Sequence, residues 1–362
     1  IPMSSSDYKF NEKKIIPLPK AEAFERELYM AAGMSEKDAA CVAENLVEAD
    51  ARGVYSHGIQ RNALYLARFE QGGTDPAAQP ETVRQVGATA LIDGHNAMGM
   101  VVGTYSMETA IHLAGKYGTS AVSVTGSNHF GTCAHFIEMA TKAGMIGFCW
   151  TINCVNIMAP WGGTDRQLGN NPYGIGVPCL DRPDVILDMA TSVAARGKIV
   201  MARKTHAPIP DTWALDVNGK PTTNPEAAYW GTVQPFAGYK GYGQTFMNAV
   251  LAAVLNNSSF GPDIIDLYEE PQKVQNSGHL FQCIDINAVD DINKFKKRMD
   301  EAVGYIKSGK KVDGVEEIYV PGEIEARNYQ KALKEGIVYP CEVIEENNEI
   351  ARRYHLPEHV LL

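Results

Sequence analysis

Apolar positions recur at helical spacing through the first ninety residues, give way to short β-like runs in the middle, and return to helical spacing near the end. Residues 19–30 predict a first helix, closed by Ala31-Ala32-Gly33. Ser35 is a good N-cap, and Glu36 and Asp38 suit the first turn that follows. This second helix runs through Val42, Leu46 and Val47 to Arg52 and stops at Gly53. A third starts at His57 or Gly58 and ends at Gly72-Gly73. Then the period changes. Residues 90–94 are a strand and turn, 101–117 a helix, 120–125 a strand, 132–143 a helix and 146–152 a strand, which makes a strand–helix–strand unit. Further strands fall at 173–177, 185–189 and 280–286. Helices are predicted over 193–203, capped by Thr191 or Ser192, and over 241–256. Residues 258–277 are polar, hold Pro262 and Pro271, and read as a surface excursion. Helical spacing resumes over 295–308 and 324–335, and the tail, 354–362, has apolar ends that suit docking on the body or on a partner subunit. The pattern predicts an α/β protein with helical N- and C-terminal segments around a central sheet. The divisions are a helical segment at 1–88, a central α/β domain at 89–290, and a helical segment at 291–362 that packs back on the first.

Composition narrows the function classes. The chain has 362 residues, too many for one simple core. With 45% apolar and 21% charged residues it is an ordinary globular sequence. A net charge of −10 offers no basic field to attract phosphate, which argues against nucleic acid or an anionic membrane as partner. A small anionic substrate held by one or two arginines remains open. The seven cysteines are odd in number, lack a Cys-x-x-Cys pair and fit no zinc spacing, which suits a reducing compartment. Residues 1–6 are polar with no apolar signal core, Met3 reads as a start, and no apolar run approaches the roughly 18 residues of a membrane span. The expectation is a cytoplasmic protein.

The chemistry concentrates in two histidine blocks. In the first, His57, Arg61 and Tyr65 are each four residues apart, so a continuous α-helix would put a proton carrier, a carboxylate clamp and a phenol on one face. Ser56 adds a hydroxyl beside the first histidine. In the second, Gly126-Ser127-Asn128-His129-Phe130-Gly131 places His129 in a loop after an apolar run, where catalytic groups commonly sit. The alternative is that each histidine only satisfies local hydrogen bonds. No complete Gly-x-Gly-x-x-Gly turn follows a strand, since Gly241-Tyr242-Gly243 lacks the third glycine, and no Walker run occurs. A Rossmann or P-loop reading therefore fails. The run 238–243 still sets Lys240 between glycines at a helix start, where N–H groups, dipole and cation converge; the alternative is a turn with a solvated lysine. Asp188-Met189-Ala190-Thr191-Ser192 ends a strand and opens a helix, and the turn-rich runs 160–163 and 169–172 either shape a site or are plain loops. No metal site is expected. His129 and His135 are six apart, which no helical metal motif uses, and the His-x-x-Glu-His match at 355–359 is interrupted by Pro357.

These blocks resemble the malate/L-lactate dehydrogenase family that lacks a Rossmann fold, which also includes ureidoglycolate and L-sulfolactate dehydrogenases, 2,3-diketo-L-gulonate reductase and Δ1-piperideine-2-carboxylate reductase. The resemblance rests on Ser56-His57-Gly58 with Arg61, Ser127 to Gly131, Ala159 to Gly163, Asp188 to Ser192 with Ala195 to Lys198, Gly238 to Gly243, and Pro321-Gly322-Glu323, all in order. It implies a homodimer using NAD or NADP on an unusual mixed sheet, with the active site near the subunit interface. It makes His57 and His129 both candidates for the proton carrier, with Ser56 and Asp188 orienting His57. Arg61 would hold the substrate carboxylate, with Tyr65 beside it. Asp188, Met189, Ala190, Tyr239, Lys240, Pro321, Gly322 and Glu323 would contact the dinucleotide. The implied reaction interconverts a 2-hydroxy and a 2-oxo acid, with malate and oxaloacetate foremost. Ureidoglycolate oxidation, reduction of keto-sugars or cyclic imines, and a catalytically silent scaffold are the alternatives. Tyr55 and Asn153-Cys154-Val155 depart from the family pattern near the presumed substrate pocket, which leaves the substrate open rather than the reaction.

Overall fold

The computed structural model describes residues 12–356. The N-terminal reading of residues 1–6 and the His359 half of the tail motif lie outside the described residues. The first half of the chain forms β1 (Lys13–Ile16), α1 (Leu18–Ala31), α2 (Glu36–Ala51), α3 (Asn62–Glu70), β2 (Glu81–Val86), β3 (Thr89–Asp93), α4 (Gly99–Tyr117), β4 (Ala121–Ser127), α5 (Cys133–Lys142), β5 (Met145–Thr151), β6 (Tyr173–Val177) and β7 (Val185–Met189). The second half forms α6 (Arg196–Thr205), β8 (Ala214–Leu215), α7 (Pro225–Trp230), β9 (Thr232–Val233), α8 (Tyr239–Ala249), β10 (Ser277–Asp285), α9 (Ile292–Lys307), α10 (Glu323–Glu335), β11 (Ile337–Pro340) and α11 (Cys341–Arg353).

The central sheet has seven strands in the order β2-β3-β4-β10-β5-β6-β7. Only β3 and β4 run parallel; every other neighbouring pair is antiparallel. A dinucleotide fold of the Rossmann type needs parallel strands joined by crossover helices, so the expected mixed, non-Rossmann sheet is what forms. Helix α5 lies hard against β5 and β6 because three strand glycines face it. A Cβ at Gly147 would come within 2.6 Å of Ala140 Cβ, and one at Gly174 within 2.9 Å of Cys133 Cβ. At Gly176 it would meet the Ile137 carbonyl at 2.9 Å. This close approach carries the first turn of α5 to Asp188 on β7.

The two ends of the chain meet. Strand β1 pairs antiparallel with β11, and one apolar cluster joins Phe24, Leu28, Leu46, Ile59 and Leu66 to Ile337, Tyr339 and Ile350. Inside it lies a polar knot. Asn62 donates to Glu25 Oε1 at 2.8 Å and to Asn347 Oδ1 at 2.7 Å, and accepts from Tyr29 OH at 3.0 Å.

Several sequence expectations are corrected here. The helix expected from His57 onward is broken. Tyr55–His57 and Ile59–Arg61 are separate 3₁₀ turns, and α3 begins only at Asn62. The cause is Asp50, whose carboxylate accepts from Ile59 N at 3.0 Å and draws that N–H out of the helical ladder. Gly58 between the turns is extended. The cap of α6 is Ala195 rather than Thr191 or Ser192, because the Thr191 hydroxyl bonds the Asn170 carbonyl at 2.8 Å instead. The first ninety residues are not all helical: β1 and β2 are there, and β2 was hidden because it is a mostly exposed edge strand. The segment 258–277 is no simple excursion, since Leu267 and Gln275 are buried. Helix α8 ends in a π-turn at Val250–Val254.

Candidate active site

A cavity of about 650 Å³ opens where β4, β5 and β7 end, between the sheet and the α2–α3 connection. Its size falls within the ordinary range for small-molecule sites. The broken turns place His57 and Arg61 on one wall, and the Gly-bounded loop after β4 brings His129 beside them. The two imidazoles stack at 5.7 Å with 27° between planes. Ser56 Oγ lies 2.9 Å from His57 Nδ1, and Tyr65 OH lies 2.6 Å from His129 Nδ1. Each histidine thus has its Nδ1 engaged by a hydroxyl. When that hydroxyl accepts the Nδ1 proton, Nε2 carries the lone pair. The clustering expected of His57, Arg61, Tyr65 and His129 is present, although no continuous helix produces it.

Burial and then the Arg61 guanidinium hold His57 down, to about 3. His129 is held well below the usual histidine range by burial, Arg61 and His57, in that order. Both side chains remain partly reachable from the cavity, so an arriving anion can offset the nearby cation. Arg61 is fixed from behind. Its Nε donates to the Ser56 carbonyl and its Nη1 to Tyr268 OH, each at 2.6 Å, which leaves Nη2 and an edge of the fork for a ligand.

Tyr268 and the residues that support it gave no motif in the sequence, being single residues in a polar stretch. Gln275 Oε1 accepts from His129 N at 3.0 Å. Arg68, which is buried, donates to the carbonyls of Gly73 and Lys273 at 2.7 and 3.1 Å and to Asn128 Oδ1 at 3.0 Å, and so staples 258–277 to the His129 loop. His279 is a further buried histidine. It bridges Thr151 Oγ1 at 2.8 Å and Ser127 Oγ at 2.9 Å and stacks on Phe130 at 4.5 Å, a structural rather than a proton-carrying position.

The other wall is lined by Asp188, Met189, Ala190, Pro321 and Gly322, five of the residues that the resemblance assigns to a dinucleotide. Asp188, however, does not orient His57. Its Oδ2 accepts from Ala134 N at 2.8 Å, at the start of α5, and it makes no hydrogen bond to His57. Burial raises its carboxyl to about 6, against those backbone N–H groups. Glu323 is turned away. Lys307 and Arg327 hold it at 2.6 and 2.7 Å, and Glu325 lines the cavity instead. Tyr239 and Lys240 are exposed and take no part in the cavity wall; Tyr239 meets Trp161 edge-on at 6.2 Å. Three arginines, Arg52, Arg61 and Arg196, reach the wall. Arg52 is paired with Glu48 and Glu138. Among the described residues no group of three or more His, Cys, Asp or Glu side chains could hold a metal, and no helix is long and apolar enough to cross a membrane.

A mixed sheet beside a cavity with two adjacent histidines and a braced arginine gives a non-Rossmann scaffold with a site suited to small acids. Comparison with known proteins gives the family. The chain belongs to the malate/L-lactate dehydrogenase family, whose model matches residues 16–347. It is 35% identical to malate dehydrogenase of Pyrococcus abyssi over 352 residues, covering 94% of this chain and 96% of that one. It is 34% identical to the ureidoglycolate dehydrogenase (NAD(+)) of Escherichia coli, covering 84% of this chain and 87% of that one. The crystal structure of malate dehydrogenase from Entamoeba histolytica superposes with a TM-score of 0.90 at 29% identity, covering 96% of this chain and 99% of the other.

Proposed function

We propose that the protein is an NAD- or NADP-dependent dehydrogenase that interconverts malate and oxaloacetate. The observation that carries this reading is the wall of His57, His129 and Arg61, with two imidazoles kept neutral beside a cation that keeps part of its fork free. Oxidising a 2-hydroxy acid needs a base at the hydroxyl and a cation at the carboxylate. Arg61 holds the C1 carboxylate. His57 Nε2 takes the hydroxyl proton while Ser56 steadies Nδ1, and His129, tied to Tyr65 and Gln275, holds the other side of the substrate. Arg196, a second cation on the wall at 3.9 Å from Asp266, suits the second carboxylate of a dicarboxylic acid.

The opposite wall fits a dinucleotide. It runs along β7 to Gly322, and at Gly197 a Cβ would meet nothing within 4 Å, so the first turn of α6 presents bare backbone to the cavity. These residues would hold a nicotinamide dinucleotide, which would supply the hydride chemistry at C2 of the substrate. In this reading residues 1–88 supply the clamp, 89–290 the sheet under the dinucleotide, and the C-terminal segment closes the far end. The cytoplasm is the expected setting. The proposal includes a homodimer with the site near the interface, supported by the exposed apolar side chains of Trp161, Tyr239, Phe246, Met247 and Leu255. Tyr239 and Lys240 would meet a dinucleotide only where α8 of one copy reaches the cavity of another.

The test is a panel of 2-oxo acids against NADH and NADPH, read by loss of reduced-cofactor absorbance. Oxaloacetate should give the highest kcat/KM; a preference for a monocarboxylic 2-oxo acid would refute the dicarboxylate assignment. Arg61→Lys keeps the charge and loses the fork. It should weaken 2-oxo acid binding by about 1.5–3 kcal/mol, the worth of a charge-assisted hydrogen bond. An unchanged KM in that variant would place the clamp elsewhere.

A further inference from the structure

The charges along the cavity are not evenly spread. Strand register fixes its direction. Met189 pairs with Tyr173, and Tyr173 with Trp150, so the end of β7 lies beside the end of β5, next to Thr151 and the histidines. Ile186 lies three residues back, opposite Gly176 and then Gly147. At about 3.3 Å per residue that is roughly 10 Å further from the reacting end. Here the Pro321 carbonyl accepts from Ile186 N at 3.1 Å and lays the start of α10 across the strand. A Cβ at Gly322 would come within 2.8 Å of Ile186, so only glycine permits this contact.

The cavity lining at this end carries a carboxylate and no free cation. Glu325, in the first turn of α10, lines the cavity and forms no hydrogen bond or ion pair among the described residues. Its neighbour in the motif, Glu323, is neutralised by Lys307 and Arg327. Between the two ends, Asp188 lies near enough to Glu325 that the second carboxylate adds to the upward push on the first. Arg52 on the same wall already serves Glu48 and Glu138. The other two arginines, Arg61 and Arg196, stand by Tyr268 and Asp266 at the substrate end.

We infer that the cavity selects NAD over NADP and that Glu325 makes the selection. The inference rests on the dinucleotide reading above. With the nicotinamide at the histidines, the adenosine ribose falls at the far end. A carboxylate there accepts hydrogen bonds from the ribose hydroxyls of NAD, as acidic residues do in other dinucleotide sites. The 2′-phosphate of NADP would bring a like charge against Glu325, with no unpaired cation among the residues lining the cavity at that end to offset it.

The experiment measures dissociation constants for NADH and NADPH by titration calorimetry on the full chain and on Glu325→Gln. A parallel competition with 5′-AMP and 2′,5′-ADP isolates the 2′-phosphate from the nicotinamide. The wild type should bind NADH on the order of tenfold or more tightly than NADPH, the scale of one like-charge contact in a partly screened site. Glu325→Gln should narrow that ratio mainly by improving NADPH and 2′,5′-ADP binding. Equal affinities in the wild type, or a ratio unmoved by the substitution, overturn the inference. Binding of neither nucleotide overturns the dinucleotide reading beneath it. The Glu325 side chain has no partner to lose, and a circular-dichroism melt coinciding with that of the wild type ties any change to the ligand.

Discussion

Replacing His57 with asparagine is expected to slow single-turnover hydride transfer by about 10²–10⁴-fold, the usual contribution of a positioned acid or base, while NADH binding stays near that of the wild type. His129→Asn should act chiefly on substrate affinity, because His129 is held between Tyr65 and Gln275 and steadies the substrate. The pH profile separates the roles. In the free enzyme burial and Arg61 keep His57 neutral far into acid. The acid limb of kcat/KM for hydroxy-acid oxidation, which reports the free enzyme, should therefore lie well below the ordinary histidine range. The limb of kcat should lie higher, because the bound carboxylate offsets the Arg61 charge and favours the imidazolium. If His129→Asn abolishes that limb and His57→Asn keeps it, the two assignments exchange. If both variants keep native rates and profiles, neither histidine carries the proton.

The second large effect is expected from Gly58→Ala. A Cβ on Gly58 would sit 1.8 Å from Asp50 Oδ1 and 2.1 Å from its Cγ. Asp50 has little room to retreat. Its side chain is short and buried, and Oδ2 is tied to Ile59 N at 3.0 Å and Tyr339 OH at 2.9 Å. The two 3₁₀ turns must move instead, and they carry His57 and Arg61. We expect a stability loss of about 1–3 kcal/mol, typical of overpacking, measured as a shift of the urea midpoint. Activity should fall further than stability, on the order of 10²-fold for a displacement near 1 Å. Native kcat/KM in this variant would show that the turn tolerates displacement and that its geometry is not what aligns the site.

The same turn marks the boundary of what the sequence reveals. Strands β6 and β7 are legible because each is a short apolar run between turn residues, and α2 because Ser35 receives the Asp38 N–H at its start. The break at Gly58 is not legible, since its cause lies on a different helix, in a carboxylate eight residues back. Local spacing alone favoured a continuous helix through His57, Arg61 and Tyr65. The three side chains nonetheless share one region, because the 3₁₀ turns and α3 deliver them to it. Tyr268 and Gln275 were hidden for the opposite reason: their segment is polar and irregular, and tertiary hydrogen bonds from Arg61, Arg68 and the His129 loop give it a place. Asp188 lines the cavity as the sequence suggested, but its hydrogen-bond partner is a different one. The glycine-lined approach of α5 offers it two backbone N–H groups before it can reach an imidazole.

The knot that closes the chain on itself also sets a schedule. Asp50 and Asn62, on either side of the turn that carries His57 and Arg61, are fastened by Tyr339 and Asn347, which are 289 and 285 residues later in sequence. A ribosome adding about 5–20 residues per second would release those fasteners on the order of 15–60 s after the turn itself has been made. Throughout that interval the His57–Arg61 segment lacks both its clasp and its apolar backing from β11 and α11. The site thus stays unassembled on the nascent chain, although His57 and Arg61 are translated well before the residues that fasten them.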